Sequence, residues 1–335
     1  MILHPGIIAL ISGSSVVFLM MLYASVLGGI IVMRWDFTSS SAYQLALERK
    51  TYLISTVMNY VLGFQIVSAF LFIYTLDDIH QLFVGAMCVT GSLNANPVGW
   101  YALVSKIAVF FFSGLWIVVN YLDQKVKEYP LVRLKYTLLI FLLPVIGLDL
   151  FLQTYYFLGL NPDIITSCCG SLFSESGTGV TSSMSALPVS LTMVLFYTGI
   201  ILFFVISSSC LYSKRGSLRY LQSAVSAAVL FLALAAVISF VSPYIYELPT
   251  HHCPFDILQR RYSFIGYPLY ISLFCGTFFG LLPGVFQPLK RLPSFEGIID
   301  TIERKWVGGS MGCMLLFVTV VTYQVVVSNL TLNPY

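Results

Sequence analysis

The segment His251-His252-Cys253-Pro254-Phe255-Asp256 places two imidazoles, a thiol and a carboxylate in direct succession. The thiolate is the reactive form of cysteine, and a neighbouring protonated imidazole favours it. Proline suits the first turn of a helix, and the N-terminal end of a helix favours negative charge. A helix starting at Cys253-Pro254 would therefore add to the same bias. The segment looks like half of a Cys-Pro-x-Cys redox motif, with Asp256 standing where the second cysteine would be. Without that second thiol, Cys253 cannot resolve a mixed disulfide locally. A thiol from elsewhere is needed, and Cys88 or the adjacent Cys168 and Cys169 are the candidates. Asp256 works against a second negative charge, unless it accepts the thiol proton or orients a histidine.

The remaining cysteines and histidines are unevenly spread. Cys88, Cys168, Cys169 and Cys253 fall in three loops on one predicted side, together with His4, His80, His251 and His252. Cys210, Cys275 and Cys313 fall in or at the end of apolar stretches, where free cysteine packs as a small hydrophobe. Two other chemistries compete for the loop cluster. In an oxidising periplasm the four loop cysteines would form structural disulfides, with three connectivities open to them. Strain disfavours a bridge between Cys168 and Cys169, so one would pair with Cys88 and the other with Cys253. Alternatively, thiolates and imidazole suit a soft metal such as copper(I), zinc or mercury. Cys168, Cys169, Cys253 and His251 would then be the ligands, and the ion would pass inward toward Cys275 and Cys313. The closely spaced cysteine pairs of structural zinc sites are missing. No cofactor is specified by any motif.

Two charges interrupt the apolar stretches. Asp149 and Lys106 each sit inside a predicted span, where a charge costs about 2.5–3.5 kcal/mol at the bilayer centre and usually faces a cavity or a partner. They read as a proton or charge relay, or as a structural ion pair. A protonated Asp149 bonded to Asn59, Gln65 or Asn120 is a third reading. Asp149 lies several residues deeper than Lys106, so a direct pair requires tilt or the full reach of the lysine. Pro144, one turn before Asp149, is placed to kink its helix. No phosphate-binding glycine loop, HExxH or GxSxG is present.

These residues need a scaffold, and the composition dictates its kind. Of 335 residues, 58% are hydrophobic and 9% are charged, against roughly 25% charged in soluble domains. The apolar residues run in blocks of about 18 or more, the length of a bilayer span. The runs do not alternate as barrel strands would, so the spans are helices. Eight are predicted, near 6–33, 52–76, 100–122, 136–160, 187–212, 220–244, 267–289 and 306–328, forming one polytopic domain over 1–335. Of the 17 basic residues, 14 fall after odd-numbered spans, from Arg34 to Lys305. Basic loops stay cytoplasmic, which puts both termini and the cysteine-bearing loops outside. MILHPG carries no basic residue, so no secretory signal is read there. Trp35, Trp100, Tyr101, Tyr155, Tyr156, Tyr244, Tyr267 and Trp306 cluster at span ends and read as headgroup anchors.

The expectation is an all-α membrane bundle in the plasma (inner) membrane, with thiol–disulfide or electron chemistry at its outer face. The competing classes are a soft-metal or small-solute transporter and a non-catalytic anchoring subunit. The partners expected are the lipid bilayer and a periplasmic or membrane protein docking on the outer loops. Nothing resembles a nucleic-acid-binding face.

Overall fold

The computed structural model describes residues 2–36, 41–126, 129–161, 188–213, 215–295 and 297–332. Among them, eight helices are long and apolar enough to cross a membrane. They form two compact units of four spans each.

The first unit consists of α1 (Pro5–Arg34), α2 (Ala42–Ile79), a short α3 (Val89–Asn94), α4 (Gly99–Lys125) and α5 (Val132–Leu158). Contacts along the helices fix their directions. His4 meets Asp78 while Arg34 meets Tyr43, so α1 and α2 run antiparallel. Ser55 and Asn59 on α2 meet Asn120 on α4, and Lys106 on α4 meets Asp149 on α5. Tyr136 packs at Gly28 and Phe18 at Gly147, which closes the ring between α5 and α1. The result is an up-and-down four-helix bundle.

The second unit repeats this plan with α6 (Val189–Tyr212), a compound span, α9 (Gly266–Val285) and α10 (Ile298–Val327). The compound span comprises α7 (Gly216–Ala236), a π-helical turn over Val237–Val241 and α8 (Ser242–Tyr246). Ser207 bonds Gln222, Ser223 bonds the Leu281 carbonyl, Ser310 bonds the Gly276 carbonyl, and Tyr197 meets Thr322. Small residues allow α9 to approach its neighbours. A Cβ on Gly280 would lie 2.3 Å from Ser226 Oγ and 2.8 Å from Ser310 Oγ. Close backbone approach of this kind is how membrane helices gain packing without a hydrophobic drive between them.

The side chains sort in the sense that a lipid environment requires. On α2, Gln65, Ser55 and Ser68 are buried, while Tyr60, Leu53 and Val67 point outward. In water the exposed apolar face would be unstable; in lipid it is the favourable face. The chain is an all-α, multi-pass membrane bundle in contact with the bilayer.

Two departures from the sequence expectation have simple causes. The second span was expected over 52–76, whereas α2 begins ten residues earlier, at Ala42. Hydropathy falls at Glu48-Arg49-Lys50, but these residues favour helix, and Ser41 caps the start by accepting from the Gln44 amide. The uniform anchoring role for span-end aromatics also fails. Trp35, Tyr156, Tyr244 and Trp306 are buried, and Trp100 donates its indole N–H to Asn94.

Candidate thiol site in the second unit

The π turn is the starting point of the site. Widening the helix by one residue frees a carbonyl from the regular ladder, a device common at functional positions. Here the Ile238 carbonyl is met by His252 Nδ1 at 2.9 Å. That contact draws the loop 247–265 back over the end of its own bundle. Two tyrosines fix it further: Tyr246 Oη donates to the Cys253 carbonyl and Tyr270 Oη to the Pro254 carbonyl, each at 2.6 Å. The loop is a folded cap whose Cys253 and Pro254 carbonyls are satisfied from the spans beneath.

Inside the cap Cys253 is fully buried, 0% exposed. Its Sγ and a carboxylate oxygen of Asp256 lie within 4.8 Å of each other. Asp256 is itself buried, and its Oδ2 is held by His251 Nε2 at 2.6 Å and by Arg261 at 2.9 Å. Its Oδ1 has no hydrogen-bond partner among the described residues. Aromatic rings enclose the group: Tyr246 stands edge-on to His251 at 4.6 Å and tilted against Tyr262 at 4.8 Å. Burial pushes the Tyr262 phenol above its ordinary value, against the opposing charge of Arg261. Tyr262 therefore stays protonated at neutral pH and serves as a wall. Chemically, the arrangement is a thiol beside a buried carboxylate whose outer oxygen is clamped by an imidazole and a guanidinium.

Of the residues singled out from sequence, Cys253, Asp256 and His251 come together here. His252 is present but directed at the helix, where it positions the loop. The contact of Asp256 with His251 at 2.6 Å is the geometry that orienting a histidine requires. The helix expected at Cys253-Pro254 does not form; the first regular turn is the 3₁₀ segment Asp256–Leu258, so Cys253 has no helix dipole behind it. Arg261, Tyr246 and Tyr270 were missed. The span-end aromatics singled out from sequence, Tyr244 and Tyr267 among them, do not include Tyr246 or Tyr270.

In the first unit, Cys88 is buried at the start of α3, where its carbonyl accepts the Gly91 amide at 2.9 Å. His80 turns back to the Asp77 carbonyl. Lys106 Nζ and Asp149 Oδ2 form a direct ion pair at 2.7 Å, buried on both sides, and Ser105 Oγ donates to the other carboxylate oxygen at 2.8 Å. One turn beyond Asp149, Gln153 is fully buried with neither amide atom hydrogen-bonded among the described residues. Asn59 and Asn120 do not serve Asp149. They belong to a second buried pair, Lys135 with Asp123 at 2.7 Å, which has no counterpart among the sequence expectations. Cys275, Cys313 and Cys210 form no disulfide among the described residues, and Cys210 donates to the Leu218 carbonyl. Cys168 and Cys169 lie outside the described residues.

Comparison with known protein families, curated proteins and solved structures finds no match.

Proposed function

We propose that this chain is a multi-pass membrane thiol–disulfide protein in which Cys253 is the reacting thiol. The observation that carries the reading is the buried Asp256 carboxylate within 4.8 Å of Cys253 Sγ, clamped through one oxygen by His251 and Arg261. In this role Asp256 Oδ1 accepts the proton as the thiolate forms, while His251 and Arg261 hold its other oxygen. The Cys253 thiolate attacks a disulfide of a partner protein; the partner's S–S bond breaks and a mixed disulfide forms. A second thiolate of this chain then attacks the Cys253 sulfur. The partner leaves as a dithiol, and this chain keeps the disulfide. The thiols of this chain supply the two protons that the partner's sulfurs take up. Cys88, Cys168 and Cys169 are the candidates for the second thiol. His80 has only a peripheral role.

Lys106 and Asp149 form the proposed charge relay of the same system. The support is Gln153, one turn away, whose buried and unmatched amide calls for ordered water. The basic-residue asymmetry supports a plasma (inner) membrane location with the cysteine-bearing loops outside. A partner docking there meets loops carrying few charges.

The test is partner trapping. Replacing the second thiol with serine blocks release, so a mixed disulfide should accumulate in one of Cys88→Ser, Cys168→Ser or Cys169→Ser. It should disappear when Cys253→Ser is added. If no variant gives a partner adduct that depends on Cys253, the thiol–disulfide reading fails. Stoichiometric copper or zinc retained by the purified chain and lost in Cys253→Ser would favour the soft-metal reading instead.

A further inference from the structure

The first unit holds a cavity of about 340 Å³ that none of this chemistry uses. It lies at the basic end of the bundle, far along α4 and α5 from Lys106 and Asp149. Its floor is made by Thr51 and Lys135, both buried. Glu48 and Arg49 stand at its rim, and Trp35, Tyr52 and Tyr129 form aromatic walls.

Three observations define what such a cavity would take. An ammonium carries three N–H donors, and Lys135 Nζ uses one on Asp123 and one on Asn120 Oδ1 at 3.2 Å. Thr51 Oγ1 is buried with no hydrogen-bond partner among the described residues. Buried polar atoms are nearly always satisfied, so donors are left on this floor for an acceptor that enters. The charges lining the space also balance: Lys135 is matched by Asp123, and Arg49 stands next to Glu48 with no ion pair among the described residues. A balanced lining disfavours a simple anion or a simple cation. Aromatic faces beside a carboxylate attract an ammonium, while guanidinium, ammonium and hydroxyl donors bind phosphate oxygens.

We propose that this cavity binds a phosphate–ammonium zwitterion, of the phosphoethanolamine class. The phosphate takes Arg49, Lys135 and Thr51, and the ammonium takes Glu48 and the aromatic walls. The position at the end of the spans matches the depth of a lipid headgroup, and a soluble phosphoethanolamine has the same chemistry.

Native mass spectrometry of the full chain, offered equimolar phosphatidylethanolamine and phosphatidylglycerol, tests this. Phosphatidylethanolamine should be retained about ten-fold better, and Arg49→Gln or the isosteric Thr51→Val should each weaken retention by about ten-fold. Arg49 is exposed on a helix surface, so its variant keeps the fold even if Thr51→Val does not. Displacement of the lipid by glycerophosphoethanolamine assigns the site to the soluble zwitterion, and resistance assigns it to the lipid. Equal or better retention of phosphatidylglycerol, or retention unchanged in both variants, overturns the proposal.

Discussion

Buried charged groups are costly unless they are paired, and each residue here shows how that cost is met. Asp256 is stabilised by His251 and Arg261. The Lys106–Asp149 pair satisfies itself at 2.7 Å, with Ser105 on the spare oxygen. Breaking such a pair from one side leaves an uncompensated buried charge. Lys106→Met should therefore cost about 3–5 kcal/mol, and Lys106→Met/Asp149→Leu should recover most of it, as read from unfolding midpoints in detergent. Partner-exchange activity separates structure from relay: the stable double variant should still lose it. Full activity in that variant would leave the pair a structural role alone. The cluster His251-Cys253-Asp256 was legible because its members are neighbours in sequence. Arg261 was not, because a 3₁₀ turn and two left-handed residues, Ser263 and Phe264, shape its loop, and nothing in the sequence signals them. The direct Lys106–Asp149 contact required knowing the stagger of α4 against α5, which hydropathy does not encode.

At the scale of elements, the spans were readable because 18 consecutive apolar residues have few alternatives in water or lipid. Their inner faces were not readable. The spans are apolar nearly all round, so no stripe marks the side facing the bundle. The faces are chosen by small and polar residues such as Gly280, Ser226 and Ser310, whose contacts appear only once the helices are packed. Gly280 and Gly312 make the contrast measurable. A side chain at Gly280 collides with two serines, whereas one at Gly312 meets nothing within 4 Å. Gly280→Val should destabilise by about 1–3 kcal/mol through overpacking, and Gly312→Val should change the unfolding midpoint little. Equal effects would mean that α9 does not depend on close approach. The π turn at Val237–Val241 escaped the sequence reading for a similar reason: it differs from α-helix by one residue of register, and its freed carbonyl has meaning only beside His252.

For the whole molecule, 14 of the 17 basic residues follow odd-numbered spans in the sequence, and basic loops stay cytoplasmic. A reporter fused after Arg215 should read cytoplasmic, and one placed in the loop near Cys169 external. External labelling of the Arg215 loop in sealed cells would reverse the assignment and put the thiol site in a reducing compartment. The decisive measurement concerns Cys253 in the intact chain. The protein is equilibrated across a series of redox buffers, and each cysteine is quantified as thiol or disulfide by differential alkylation and mass spectrometry. Cys253 should titrate between the two forms with a midpoint above about −300 mV, the range of labile and catalytic disulfides. Over the same range the span cysteines Cys210, Cys275 and Cys313 should remain thiols. A Cys253 that stays a thiol at every potential, or a disulfide that resists reduction until the protein unfolds, would contradict the account.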